Sequence, residues 1–175
     1  KNQIVNVDEN YFHHKSNAYK RRDEGNDGKN ILALDMLQRV LKLGIYADYL
    51  LVDSWYAKPD FINTVQTNGL NVIARIANNP RIWQFVGKHN TLESLYTQAK
   101  KQKTSKFGNY NTIKYTYIST ITTHKTLGRI KIVFIKTKDN LIPIISTNTN
   151  LSDIEIINTY KKRWNASVIG TWGIK

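Results

Sequence analysis

The sequence predicts a mixed α/β core interrupted by an antiparallel, β-rich insertion, with a last helix that returns to the core. Three observations lead there. Between Ile31 and Ile76, helical and strand-like runs alternate and are separated by glycine stops. From Thr112 to Ser146, three β-branched runs follow one another with short turn signals between them. Ser152 and Glu155 then stand three apart, the spacing of a capping box, at the head of an amphipathic run.

The elements follow in order. Residues 1–30 are polar and broken by turn formers, ending in Asp23-Glu24-Gly25-Asn26-Asp27-Gly28. Ile31 to Leu43 reads as a helix with Leu34, Leu37 and Leu41 on one stripe, and Gly44 is placed as its left-handed stop. Tyr49 to Val52 is a short continuous apolar run, as in a strand buried on both faces, and Asp53 ends it. Lys58-Pro59 opens a second helix bearing Phe61, Ile62 and Val65, because proline at the first helical position loses no hydrogen bond; Gly69 closes it. Leu70 to Ile76 is a second buried strand, so the order points to parallel neighbours. Thr91 is placed to cap a helix with Leu92, Leu95, Tyr96 and Ala99, and Lys100 to Lys106 reads as a basic polar connection. Thr112–Thr122, Arg129–Lys136 and Leu141–Ser146 form the meander, turning at Leu127-Gly128 and Asp139-Asn140. The last helix carries Ile154, Ile157, Tyr160, Lys161 and Trp164. Beyond it, Gly170 and Gly173 weaken the pattern, each about 1 kcal/mol worse than Ala inside a helix.

Composition narrows the function. The 175 residues fit one domain with a large insertion, and 41% hydrophobic content can offset the entropy of folding, which excludes a disordered chain. The absence of cysteine removes disulfide scaffolds, thiolate nucleophiles and Cys-ligated zinc. No apolar run approaches the roughly 20 residues that span a bilayer, and no signal-peptide pattern opens the sequence, so no membrane partner is expected. The 26 Lys and Arg outnumber 13 Asp and Glu, a net +13 that draws the chain to a polyanion, nucleic acid before an anionic membrane surface. The heavy use of Lys, Asn and Ile, as in an AT-rich genome, is the other source of that charge.

Two places could carry chemistry. Asp53 lies just past the carboxyl end of a buried strand, where α/β sheets place ligands; a turn or a helix cap would use the same position. Tyr160 and Arg163 are three residues apart on a helix and project from one side, suited to gripping a phosphate with a hydroxyl and a guanidinium fork. A core tyrosine beside a solvated arginine has the same spacing. His13, His14, His89 and His124 show no metal-ligand spacing. Trp83 and Phe85, near Arg81 and Lys88, suit either base stacking or core packing.

Three stretches taken together resemble one family: Ala18-Tyr19-Lys20-Arg21-Arg22-Asp23-Glu24; Ala47 to Tyr56 with its Asp53-Ser54-Trp55-Tyr56; and Ile145 to Trp164 with its Tyr160-Lys161-Lys162-Arg163-Trp164. This order resembles the DDE transposases of bacterial insertion sequences, in the branch with a Tyr, Arg, Glu, Lys signature. The resemblance implies an RNase H-like core with a β-rich insertion before the final helix. Residues 1–77 would be a partial core with the second catalytic Asp, 78–150 the insertion, and 151–175 the signature helix, divergent after 164. Such enzymes hold two Mg²⁺ ions between three carboxylates and displace phosphodiester oxygens in line. Asp53 would be the second carboxylate and a metal ligand. Tyr160 and Arg163, with Lys161 and Lys162, would hold transposon-end DNA.

The departures from that pattern set further expectations. The family's first Asp lies on a strand before the first helix, and Asp8 stands in a polar context that does not fit, so the N-terminal strands are expected to be missing. The signature Glu falls on Ser167 and the Lys on Ile174. A serine cannot supply the negative charge that a second Mg²⁺ needs, so the two ions are doubtful here. The sequence therefore reads as a truncated or degenerate transposase, inactive as given. A non-catalytic DNA-binding remnant or inhibitor is the alternative. Double-stranded DNA, at transposon ends and target, is the expected partner, in a bacterial cytoplasm close to the nucleoid. The intact enzyme would be a homodimer.

Overall fold

The computed structural model describes residues 28–110 and 113–166. Two compact units divide the chain, residues 1–46 and 47–175. In the first, α1 (Lys29–Lys42) starts two residues before the apolar stripe, and Arg39 and Lys42 in its last turn suit the negative end of the helix dipole. Leu34, Leu37 and Leu41 are half-buried along that stripe, while Met36 and Val40 are exposed.

The second unit is built on one six-stranded sheet. Its elements run β1 (Tyr49–Val52), α2 (Pro59–Thr67), β2 (Asn71–Arg75), α3 (Leu92–Gln102), β3 (Lys106–Tyr110), β4 (Ile113–His124), β5 (Gly128–Lys136), β6 (Leu141–Ser146) and α4 (Asp153–Ala166). The strand order is β1-β2-β6-β5-β4-β3. β1 and β2 are parallel, as the helix–strand alternation predicts, and every other neighbouring pair is antiparallel. β6 returns to lie beside β2, with Ile73 opposite Ser146, so the meander continues the sheet of the first two strands.

Strand alternation gives the sheet two apolar faces. One face carries Ile73, Val133, Ile135, Ile142 and Ile144, and α4 covers it with Ile156, Ile157 and Tyr160. Each of these isoleucines is almost wholly buried, a gain on the order of 2 kcal/mol apiece. The opposite face carries Phe134, whose ring meets Tyr96 of α3 at 5.4 Å between centroids. Beside β2, α2 buries Phe61, Ile62 and Val65.

The predicted caps form. The Ser152 amide donates to Glu155 Oε2 at 2.8 Å and the Glu155 amide to Ser152 Oγ at 3.3 Å. Thr91 caps α3 in the same reciprocal manner with Ser94. Gly69 follows α2 at φ +84°, a conformation that any side chain would strain.

Two segments differ from the sequence expectation. The stretch read as a polar connection, Lys100 to Lys106, begins inside α3 and ends on the first residue of an edge strand, β3 (Lys106–Tyr110), that the sequence reading did not include. The Lys, Gly and Asn of β3 have low strand propensity, but the long edge of β4 supplies a full ladder of backbone partners, and pairing wins. Gly108 also permits a close approach: a Cβ there would stand 2.5 Å from the Tyr115 ring. The second difference concerns Trp83 and Phe85. Both are 2% exposed, so they are core residues and cannot stack on bases. They pack edge-on around His124, with ring centroids 5.3 and 5.7 Å away.

Candidate functional site

Parallel pairing brings two chain segments to one end of the sheet. Val52 stands opposite Ala74, so the next residues, Asp53 and Arg75, both lie at the carboxyl ends of β1 and β2. The Asp53 side chain closes a turn, its Oδ1 accepting from the Trp55 amide at 3.0 Å. The turn role and a site role are therefore compatible in one residue, because Oδ2 remains directed elsewhere. Asp53 does not cap α2, whose N-cap is Lys58.

From the covered face, α4 delivers Arg163 to that oxygen. Arg163 Nη1 lies 4.0 Å from Asp53 Oδ2, with the two side chains 25% and 42% exposed. At that length and exposure the pair contributes little to stability. The Arg163 guanidinium also sits 5.4 Å from the Tyr160 ring centroid, so the spacing of three does place both groups on one side. Tyr160 is 1% exposed, and its hydroxyl finds no acceptor among the described residues, its polar neighbour being the Arg163 guanidinium. Burial pushes the phenol's pKa up, and the charges of Arg163 and Arg75 only partly offset this. Tyr160 is thus a neutral hydrogen-bond donor at physiological pH.

The assembled cluster is one carboxylate, two guanidiniums and a buried phenol. Arg75 was absent from the sequence reading. Its signal was a lone cation ending an otherwise apolar strand, at the register that parallel pairing brings beside Asp53. Lys161 and Lys162 do not join them. Lys161 Nζ donates to Tyr115 Oη at 3.2 Å and lies over that ring, while Lys162 is exposed. Ser167, Ile174, Asp8, His13 and His14 lie outside the described residues.

Among the described residues, no three His, Asp or Glu side chains gather closely enough to hold a metal ion. One carboxylate facing an arginine does not fit a two-ion site. No helix among the described residues is long and apolar enough to cross a membrane.

Comparison with known protein families gives a match. The model of a family described as transposase DDE domain matches residues 12–166. No curated protein matches the chain.

Proposed function

Because the chain belongs to the transposase DDE domain family, whose members act on DNA in transposition, we propose that Arg75 and Arg163, positioned by Asp53 and the buried Tyr160, form its grip on transposon-end DNA. The observation that carries this reading is that two guanidiniums, Arg163 and Arg75, both act on the buried Tyr160 phenol at the carboxyl ends of two parallel strands. A guanidinium presents paired donors that match phosphate oxygens, and the buried Tyr160 ring, its centroid 5.4 Å from the Arg163 guanidinium, supports that cation from the core.

The core is RNase H-like in this reading, with β1 and β2 as its parallel pair and α4 as the signature helix. Asp53 corresponds to the second of the family's three carboxylates. Divalent metal serves the family generally, but the signature Glu position is Ser167 here and no three carboxylates or histidines gather among the described residues. The proposed role therefore stops at binding: the chain holds duplex DNA and does not cut it.

The test has two arms. Fluorescence anisotropy on a labelled duplex measures affinity across a salt series, and Arg163→Ala should weaken binding and lower the slope of log K against log salt by about one. Binding with no salt dependence would overturn the grip. Incubation of the same duplex with Mg²⁺ should give no nicks. Nicking by this chain that disappears in Asp53→Asn would overturn the non-cleaving role.

A further inference from the structure

The positive charge is concentrated in the insertion. Residues 94–138 contain ten Lys and Arg and no Asp or Glu, so this quarter of the chain accounts for +10 of the net +13. Composition bias alone would not empty one stretch of acid while leaving all thirteen carboxylates elsewhere. The structure gives part of that charge a shape. On the sheet face covered by α4, a depression of about 530 Å³ has Tyr117 and Ser119 on its floor, with Lys103, Lys106, Lys131 and Asp153 around it.

The cations there differ in what they already hold. Lys131 is committed, pairing with Asp153 at 2.8 Å and donating to the Leu151 carbonyl at 2.7 Å. Lys103 makes one long bond, 3.3 Å to the Ser119 carbonyl, and both Lys103 and Lys106 are exposed. Asp153 is the one carboxylate lining the depression, and Lys131 and Lys106 both act on it, so three lysines against one carboxylate leave the concave surface a net two positive charges.

The depression also lies in line with Arg163. α4 runs antiparallel to β4, with Lys161 over Tyr115 and Asp153 in the same depression as Ser119. Eight helical residues and four strand residues both measure about 12–13 Å, so the two elements keep step. Ten residues of α4 separate Asp153 from Arg163, about 15 Å along the helix axis.

We propose that this depression holds a second backbone phosphate of the bound duplex, with Lys103 and Lys106 as its cations. Successive phosphates advance about 3.4 Å along the duplex axis, so 15 Å corresponds to roughly four nucleotides beyond the phosphate held at Arg163. The inference rests on the DNA-binding role and deepens it, because two contacts this far apart orient the duplex along α4.

The test compares the unmodified chain with two double variants of equal charge change, Lys103→Gln/Lys106→Gln and Lys125→Gln/Lys138→Gln. Circular dichroism melts should match among all three, since the four lysines are exposed. The Lys103/Lys106 variant should lower the salt slope of duplex binding by about 0.9, the value of one phosphate contact, and the Lys125/Lys138 variant should not. If the unmodified chain binds with a steep slope and the two variants behave alike, the depression is not a phosphate site and the grip at Arg163 stands. If the unmodified chain does not bind duplex DNA, both the role and the depression fall.

Discussion

Asp53 has two oxygens with different partners, and this decides what its replacement should do. Oδ1 holds the Trp55 amide, a bond that an asparagine keeps, whereas the charge facing Arg163 is lost in Asp53→Asn. Stability should change by less than about 0.5 kcal/mol, because the ion pair is long and half-exposed. Affinity for duplex DNA should rise, since the variant removes a negative charge that competes with phosphate for Arg163. Thermal melts and anisotropy check the two halves separately. His124 makes a pH prediction. Its Nδ1 accepts from the Thr126 and Leu127 amides at 3.1 and 3.3 Å, which requires a neutral ring, and burial pulls its pKa below 6.5. A folded pKa below the unfolded one means that the contribution is full above pH 6.5 and is lost as pH falls from there through the lower, folded value. Urea midpoints should therefore decline between pH 7.5 and pH 5, and the decline should shrink in His124→Gln.

α4 is held at its start by two independent devices, and each can be removed alone. Ser152→Ala deletes the capping box and should cost about 1 kcal/mol in chemical denaturation. Asp153 is opposed by desolvation, but hydrogen bonds from Lys131 and Ser119, with the charges of Lys131 and Lys106, outweigh it and hold the carboxyl below 3.8. Its contribution is present above that value and fades as pH falls through the folded pKa, so Asp153→Asn should flatten the acid limb of the stability curve. Gly108→Ala should push the Tyr115 ring off β3 and separate its hydroxyl from Lys161, lowering the melting temperature by several degrees. The helices and the first two strands were legible because caps, glycine stops and apolar runs are local signals. β3 was not, because Lys106 to Tyr110 becomes a strand through the edge of β4 and not through its own residues. The site was half legible for the same reason. Tyr160 and Arg163 announce themselves by helical spacing, while Arg75 reaches Asp53 only through the register of a parallel pair.

Across the whole sheet, protection should follow strand position. Among the described residues β1 and β3 each have one neighbour, while β5 and β6 lie between partners and contribute Val133, Ile144 and Ile145 to the fully buried core. Amide hydrogen exchange should be slowest in β5 and β6 and fastest in β3, whose Phe107 is 85% exposed. Equal protection in all six strands would contradict this ordering. The pairing of β2 with β6 has another consequence, felt while the chain is being made. Ile73 leaves the ribosome more than seventy residues before its partner Ser146 does. At 5–20 residues per second the wait is roughly 4–15 s, and throughout it the inner edge of β2 has no native partner. The nascent chain must keep that apolar ribbon from other polypeptides until β6 arrives, so its yield in the cell should depend on translation speed and chaperone supply as much as on the stability of the finished fold.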